Sequence, residues 1–136
     1  ILHGYHVYFV LPVENFDLIS TFSSLKNGAL IFSDVSNDLF ELNRFVDFSI
    51  CLDSFSSHFV HFLEIPSLVI YGASVSELFG TPSSMTISNS GNCSFYPCYN
   101  KPKCIDTYFE YNCLNKISVD YVVQKFHFIE SELLFN

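Results

Sequence analysis

Four short, uninterrupted apolar runs separated by stretches of helical spacing constrain this chain more than any other feature. The runs are HVYFVL (6–11), ALIFS (29–33), FSICL (48–52) and SLVIYG (67–72). A strand with one wet face alternates apolar and polar residues, whereas a strand covered on both faces does not. Between the runs, ENFDLISTFSSLK (14–26) repeats Phe16, Ile19, Phe22 and Leu25 at intervals of three, and NDLFELNRFV (37–46) opens on Asn37 or Asp38 as an N-cap. SSHFVHFLE (56–64) places Phe59 and Phe62, with Phe55 just ahead of them, along one side of a third helix. Strand and helix in regular succession predict an α/β fold, a Rossmann-like parallel sheet with helices on both faces. Such sheets bind ligands beyond the carboxyl ends of their strands, and Asp53 and Gly72 stand at two of those ends.

After Gly72 the pattern dissolves. The segment ASVSELFGTPSSMTISNSGNCSFYPCYNKPKC is rich in Ser, Asn, Pro and Gly and begins a Cys-rich excursion spanning about 73–117. A helical segment resumes at about 118–135, in SVDYVVQKFHFIESELLF, with Ser118 as its N-cap. No repeat or second domain interrupts the 136 residues, which read as a single partial domain.

Fourteen acidic against six basic residues give a formal charge of −8, which argues against nucleic acid or an anionic membrane surface as the main partner. A phosphate-bearing small ligand stays open, because backbone N–H groups hold phosphate without lysine. The opening YHVYFVLPV is broken by His6 and Pro12 and lacks a basic flank, so it suits a strand rather than a signal peptide, and a cytoplasmic location is expected. The chain begins without methionine and in mid-pattern, which leads us to expect a further segment before Ile1.

Three functional readings, set against a plain N-cap, compete for Asp53, Ser54 and His58. A hydrolytic triad brings its base from another segment to a nucleophile on a sharp turn. Here all three residues lie within six positions and no GxSxG elbow is present, so a triad is rejected. His58 and His61 are spaced to share a helical face, but no HExxH arrangement accompanies them and Glu64 is the only nearby third ligand. The remaining reading is a ligand corner: the unpaired N–H groups and positive dipole of a helix start suit a diphosphate, while Asp53 accepts hydrogen bonds from sugar hydroxyls. A plain N-cap by Asp53 or Ser54 explains the same residues equally well.

Cys93, Cys98, Cys104 and Cys113 follow the spacing C-x4-C-x5-C-x8-C. Four thiolates suit a structural zinc or iron; free thiols and, in an oxidising compartment, two disulfides are the alternatives. Cys51, inside a strand run, reads as core.

With these residues in view, VDFSICLDSFSSHFVHFLEIPSLVIYGAS resembles the donor-domain signature of glycosyltransferase family 9, the lipopolysaccharide heptosyltransferases. Asp53, Ser54, His58, Pro66, Tyr71 and Gly72 fall on that pattern in order. CLNKISVDYV (113–122) is similar to the segment that closes the family's cysteine cluster, and Leu39, Glu41, Leu42 and Asp47 in LFELNRFVDFSICLDS match a segment upstream. The resemblance implies the C-terminal, nucleotide-sugar-binding half of a GT-B glycosyltransferase without its first strand. It implies transfer of heptose from ADP-heptose to a glycan or lipopolysaccharide acceptor, with inversion and no metal at the reacting carbon. Asp53 is assigned to donor-sugar hydroxyls, and Ser54, the backbone of Phe55, and His58 to the diphosphate side. Gly72 and Ser74 form the turn after the fourth strand, and Glu14 lies toward the adenosine. The chain departs from the family in having Phe55 where the pattern has glycine, and ASVSE where it has a Thr-Asp-Pro turn, so that Ser74 alone offers the hydroxyl. The acceptor-binding domain and the catalytic base are expected ahead of Ile1, at the inner membrane in a full-length enzyme, so that this chain alone is expected to be inactive.

Overall fold

The structure, a computed structural model, describes residues 5–11, 28–32, 40–41, 43–89, 91, 93–99 and 101–134. It divides into two compact units, Ile1–Phe45 and Val46–Asn136. In the first, β1 (Val7–Leu11) runs parallel to β2 (Gly28–Phe32), with Val7 opposite Gly28 and Leu11 opposite Phe32. Near its end Asn43–Phe45 make one 3-10 turn, and Arg44 Nη1 stands 3.4 Å from Glu41 Oε2 on the surface. The helix expected over 14–26, and Glu14 with it, lies outside the described residues, as do residues 37–39 and 42 of the helix expected over 37–46.

The second unit carries β3 (Ser49–Leu52), α1 (Phe55–Phe62), β4 (Ser67–Tyr71), α2 (Ser76–Phe79), β5 (Ser84–Ser88), α3 (Asn112–Asn115) and α4 (Val119–Leu134). Its three strands form a parallel sheet in the order β3-β4-β5. Ser49 pairs with Ser67, which in turn pairs with Ser84. The α/β reading and the parallel pairing therefore hold.

The central strand explains why SLVIY carries no polar alternation beyond Ser67. Leu68, Val69 and Tyr71 are 0%, 2% and 1% exposed, so both faces of β4 are covered. On one face Leu68 and Ile87 meet Ile129 of α4, with Phe48, Ile70, Met85 and Val122 packed around them. Phe48 and Phe126 add an edge-to-face contact at 5.2 Å. α4 starts where Ser118 Oγ accepts the Tyr121 N–H at 3.2 Å, the cap expected there.

α1 has two well-built ends. Ser54, extended at φ −162°, is its N-cap. At the other end the Glu64 N–H donates to His61 O and the Ile65 N–H to Val60 O, a Schellman pair, with Glu64 itself left-handed at φ 59°. Ile65 then turns into the core. The expected stripe of Phe55, Phe59 and Phe62 needs correction. Only Phe59 is buried; Phe55 and Phe62 are 65% and 72% exposed, because an eight-residue helix turns a narrow face to the sheet.

β5 falls inside the segment read as a Cys-rich excursion. SMTIS is short and carries serine at both ends, so its pattern is weak, yet Ile87 is 1% exposed. Among the described residues no helix is long and apolar enough to cross a membrane.

Candidate functional site

β3 ends at Leu52, and the Asp53 N–H extends its ladder by one bond, donating to Ile70 O at 3.0 Å. That bond fixes the Asp53 backbone at the carboxyl edge of the sheet. The next residue reverses the chain into α1. Ser54 Oγ accepts the Ser56 N–H at 3.3 Å and lies 2.7 Å from Ser56 Oγ. Ser57 Oγ donates to Ser54 O at 2.7 Å and accepts the Ser54 N–H at 3.4 Å. The Ser57 N–H is bonded to Ser54 O. The serines of SFSS thus satisfy the helix start among themselves, and Phe55 contributes the first-turn N–H that this network leaves open.

One turn further, His58 is exposed on α1. Among the described residues no side-chain hydrogen bond joins Asp53, Ser54 and His58, so the geometry of a triad is absent. His61 points elsewhere, with Nδ1 2.8 Å from Ser83 Oγ, tying α1 to the turn that precedes β5.

β4 ends at Tyr71, and Gly72, Ala73 and Ser74 turn across its carboxyl end. The Cys-rich segment docks on this turn. The Cys98 and Tyr99 N–H groups both donate to Ala73 O at 3.1 Å, and Tyr96 Oη donates to Ser74 O at 3.2 Å. Leu114 of α3 covers Gly72, with Cγ and Cδ2 each 3.1 Å from where a Cβ would stand.

Together these elements line an open cleft of about 380 Å³ at the ends of β3 and β4. Leu52, Asp53, Ile70, Gly72, Ala73 and Ser74 form its sheet side, and Tyr99 and Leu114 the side supplied by the Cys-rich segment. The structure therefore brings together Asp53, Gly72 and Ser74 of the expected site. Ser54, Phe55 and His58 belong to the adjoining start of α1 and do not line the cleft. Tyr71, buried beneath, has its phenol pushed above the usual value by burial first, then by the negative charges of Asp53 and Cys51.

Tyr99 and Leu114 escaped the sequence reading. Neither belongs to a periodic run, and only the return of the chain to the end of β4 brings them to the cleft.

All five cysteines are free thiols, with Cys104 buried. Burial pushes the Cys113 thiol up, a hydrogen bond from the Leu114 backbone draws it down, and Cys93 and Cys104 push it up again. Cys113 thus lies within electrostatic reach of Cys93 and Cys104. Among the described residues, however, no group of three or more His, Cys, Asp or Glu is arranged to hold a metal ion, and this covers the cysteines and His58 with His61 alike.

No protein-family model, curated protein or solved structure matches this chain.

Proposed function

We propose that the Val46–Asn136 unit binds a nucleotide-diphosphate sugar, ADP-heptose foremost, as the donor-binding part of a Rossmann-like, GT-B type glycosyltransferase. The reading extends to heptose transfer onto a lipopolysaccharide-type acceptor, with the acceptor and the catalytic base held by another domain; the unit by itself is then a binder and not a catalyst. One observation carries the proposal. Asp53, Gly72 and Ser74, singled out from the sequence, line one cleft at the carboxyl ends of adjacent parallel strands.

The chemistry of the cleft suits such a donor. The Asp53 carboxylate accepts paired hydrogen bonds from neighbouring hydroxyls, and the Ser74 hydroxyl adds a further donor or acceptor. The start of α1 lies alongside, where the Phe55 N–H and the helix dipole favour phosphate, with His58 one turn along.

Calorimetric titration with ADP-heptose tests this. Asp53→Ala is expected to weaken binding at least about tenfold, the scale of a lost charge-assisted hydrogen bond, with the circular-dichroism spectrum unchanged. Unchanged affinity sinks the assignment.

A second reading, a non-catalytic binding or assembly module stabilised by zinc or iron at Cys93, Cys98, Cys104 and Cys113, is favoured by two observations. Phe55 stands 65% exposed where the family pattern has glycine, and Cys93 and Cys104 both push up the Cys113 thiol. Elemental analysis returning one metal per chain, together with no ADP-heptose binding, selects it.

A further inference from the structure

We propose that Tyr99 is a sugar-binding residue, its ring forming the platform on which the glycosyl unit of the ligand rests opposite Asp53. This rests on the nucleotide-sugar reading and assigns the cleft to one part of that ligand. Three observations carry it.

The first is size. A cleft of about 380 Å³ stands near the lower end of ligand pockets, which run from about 300 to 1,000 Å³. One ring fills much of that space, and the rest of a nucleotide-diphosphate sugar would extend out through its open side.

The second is charge. Among the described residues, those lining the cleft include one carboxylate, Asp53, and no lysine, arginine or histidine. A diphosphate placed there would meet a like charge with no counter-ion in a partly desolvated site. A neutral ring avoids that penalty. Between the two neutral parts of the ligand, adenine turns ring-nitrogen lone pairs toward a carboxylate beside its single amino group. Vicinal sugar hydroxyls instead donate two hydrogen bonds to one carboxylate. The sugar is the better match.

The third is how Tyr99 is held. Its backbone is left-handed at φ 49°, a conformation that costs a residue with a Cβ roughly 1–2 kcal/mol and that glycine or asparagine adopts more readily. It is nevertheless fixed there, by its own N–H to Ala73 O at 3.1 Å and by the Phe79 ring edge-to-face at 6.2 Å. The residue stays 45% exposed in the cleft wall. An aromatic ring held by a neighbouring ring and partly exposed at the cleft offers a C–H-rich sugar face a surface to cover. Sequence spacing gave no sign of this, because Tyr99 reaches the site only through the docking of the Cys-rich segment on the β4 turn.

The test compares ADP-heptose with ADP in calorimetric titrations of the unmodified protein, Tyr99→Ala and Tyr99→Phe. Tyr99→Ala is expected to weaken ADP-heptose about tenfold and ADP less than about twofold; Tyr99→Phe, which keeps the ring, stays within about twofold for both. Saturation-transfer NMR on the unmodified protein, irradiating aromatic protons, is expected to transfer most strongly to heptose ring C–H protons. This decides the matter even if Tyr99→Ala does not fold. Equal weakening of ADP, or strongest transfer to adenine protons, assigns Tyr99 to the nucleotide and overturns the proposal while the donor reading stands. Unchanged ADP-heptose affinity in Tyr99→Ala also overturns it. An unmodified protein that binds neither ligand defeats the donor reading, and Tyr99's role falls with it.

Discussion

The Leu114 side chain fills the space over Gly72, leaving 3.1 Å between its Cγ and the position of an added Cβ. This contact joins the turn after β4 to α3 and so closes one side of the cleft. It also gives Gly72 a packing reason to be glycine, independent of any ligand. Gly72→Ala is expected to destabilise the fold by about 1–2 kcal/mol through overpacking. In a Leu114→Ala background, where the obstructing atoms are gone, the same change is expected to cost well under half as much. Urea unfolding of the four proteins in this cycle measures the coupling. Equal costs in both backgrounds mean that Leu114 is not what Gly72 accommodates.

Ser54 lies at the boundary between binding and folding. Its side chain is occupied by the Ser56 N–H and by Ser56 Oγ, inside the helix start. Ser54→Ala is therefore expected to lower stability by about 1 kcal/mol, and Ser54→Asp, which caps as well, to restore it. ADP-heptose affinity is expected to fall much less in Ser54→Ala than in Asp53→Ala. A large affinity loss with unchanged stability would make Ser54 a ligand contact first.

At the far end of α1, Glu64 occupies the left-handed position of the Schellman motif at φ 59°. Glycine removes the clash between Cβ and carbonyl that a glutamate suffers there. Glu64→Gly is expected to raise stability by about 1 kcal/mol, seen as a higher Tm in differential scanning calorimetry. A lower Tm would show that the Glu64 side chain contributes more than its backbone costs.

The contrast between β4 and β5 shows what the residues disclosed and what they hid. SLVIYG announced itself because a central parallel strand is buried on both faces and needs apolar residues at successive positions. The same pattern, followed by a helix start, placed Asp53 and Gly72 at strand ends, which is why part of the cleft was foreseeable. SMTIS hid because an edge strand shares its ladder on one side only and tolerates serine and threonine; a single buried residue, Ile87, anchors it. The α1 phenylalanines misled for a related reason: helical spacing marks a shared side but not how wide a face the sheet will cover. Tyr99 and Leu114 were beyond reach, since Tyr99 is placed by hydrogen bonds from residues 96–99 to Ala73 and Ser74, and Leu114 by its contact over Gly72. Such long-range docking leaves no period in the sequence.

Cys51 provides a pH signature of the folded sheet. Burial in β3 pushes its thiol from 9.0 up to about 11, against a smaller downward pull from a Ser49 hydrogen bond. The folded chain therefore keeps this proton where the unfolded chain has lost it, and unfolding releases it. The stabilisation is complete below pH 9.0, shrinks as pH rises, and is gone above about 11. Tyr71, also raised by burial and by Asp53, adds to the decline above its ordinary 10.0. Urea midpoints measured from pH 8 to 11 are expected to fall across this window, on the order of one proton released per chain, and Cys51→Ala is expected to flatten the lower part of the fall. Alkylation with iodoacetamide at pH 8, followed by peptide mass spectrometry, gives an independent reading, with Cys51 modified more slowly than Cys93 or Cys98. A Cys51 that alkylates as fast as they do, with midpoints flat to pH 11, would show its thiol open to solvent and not half-buried in β3.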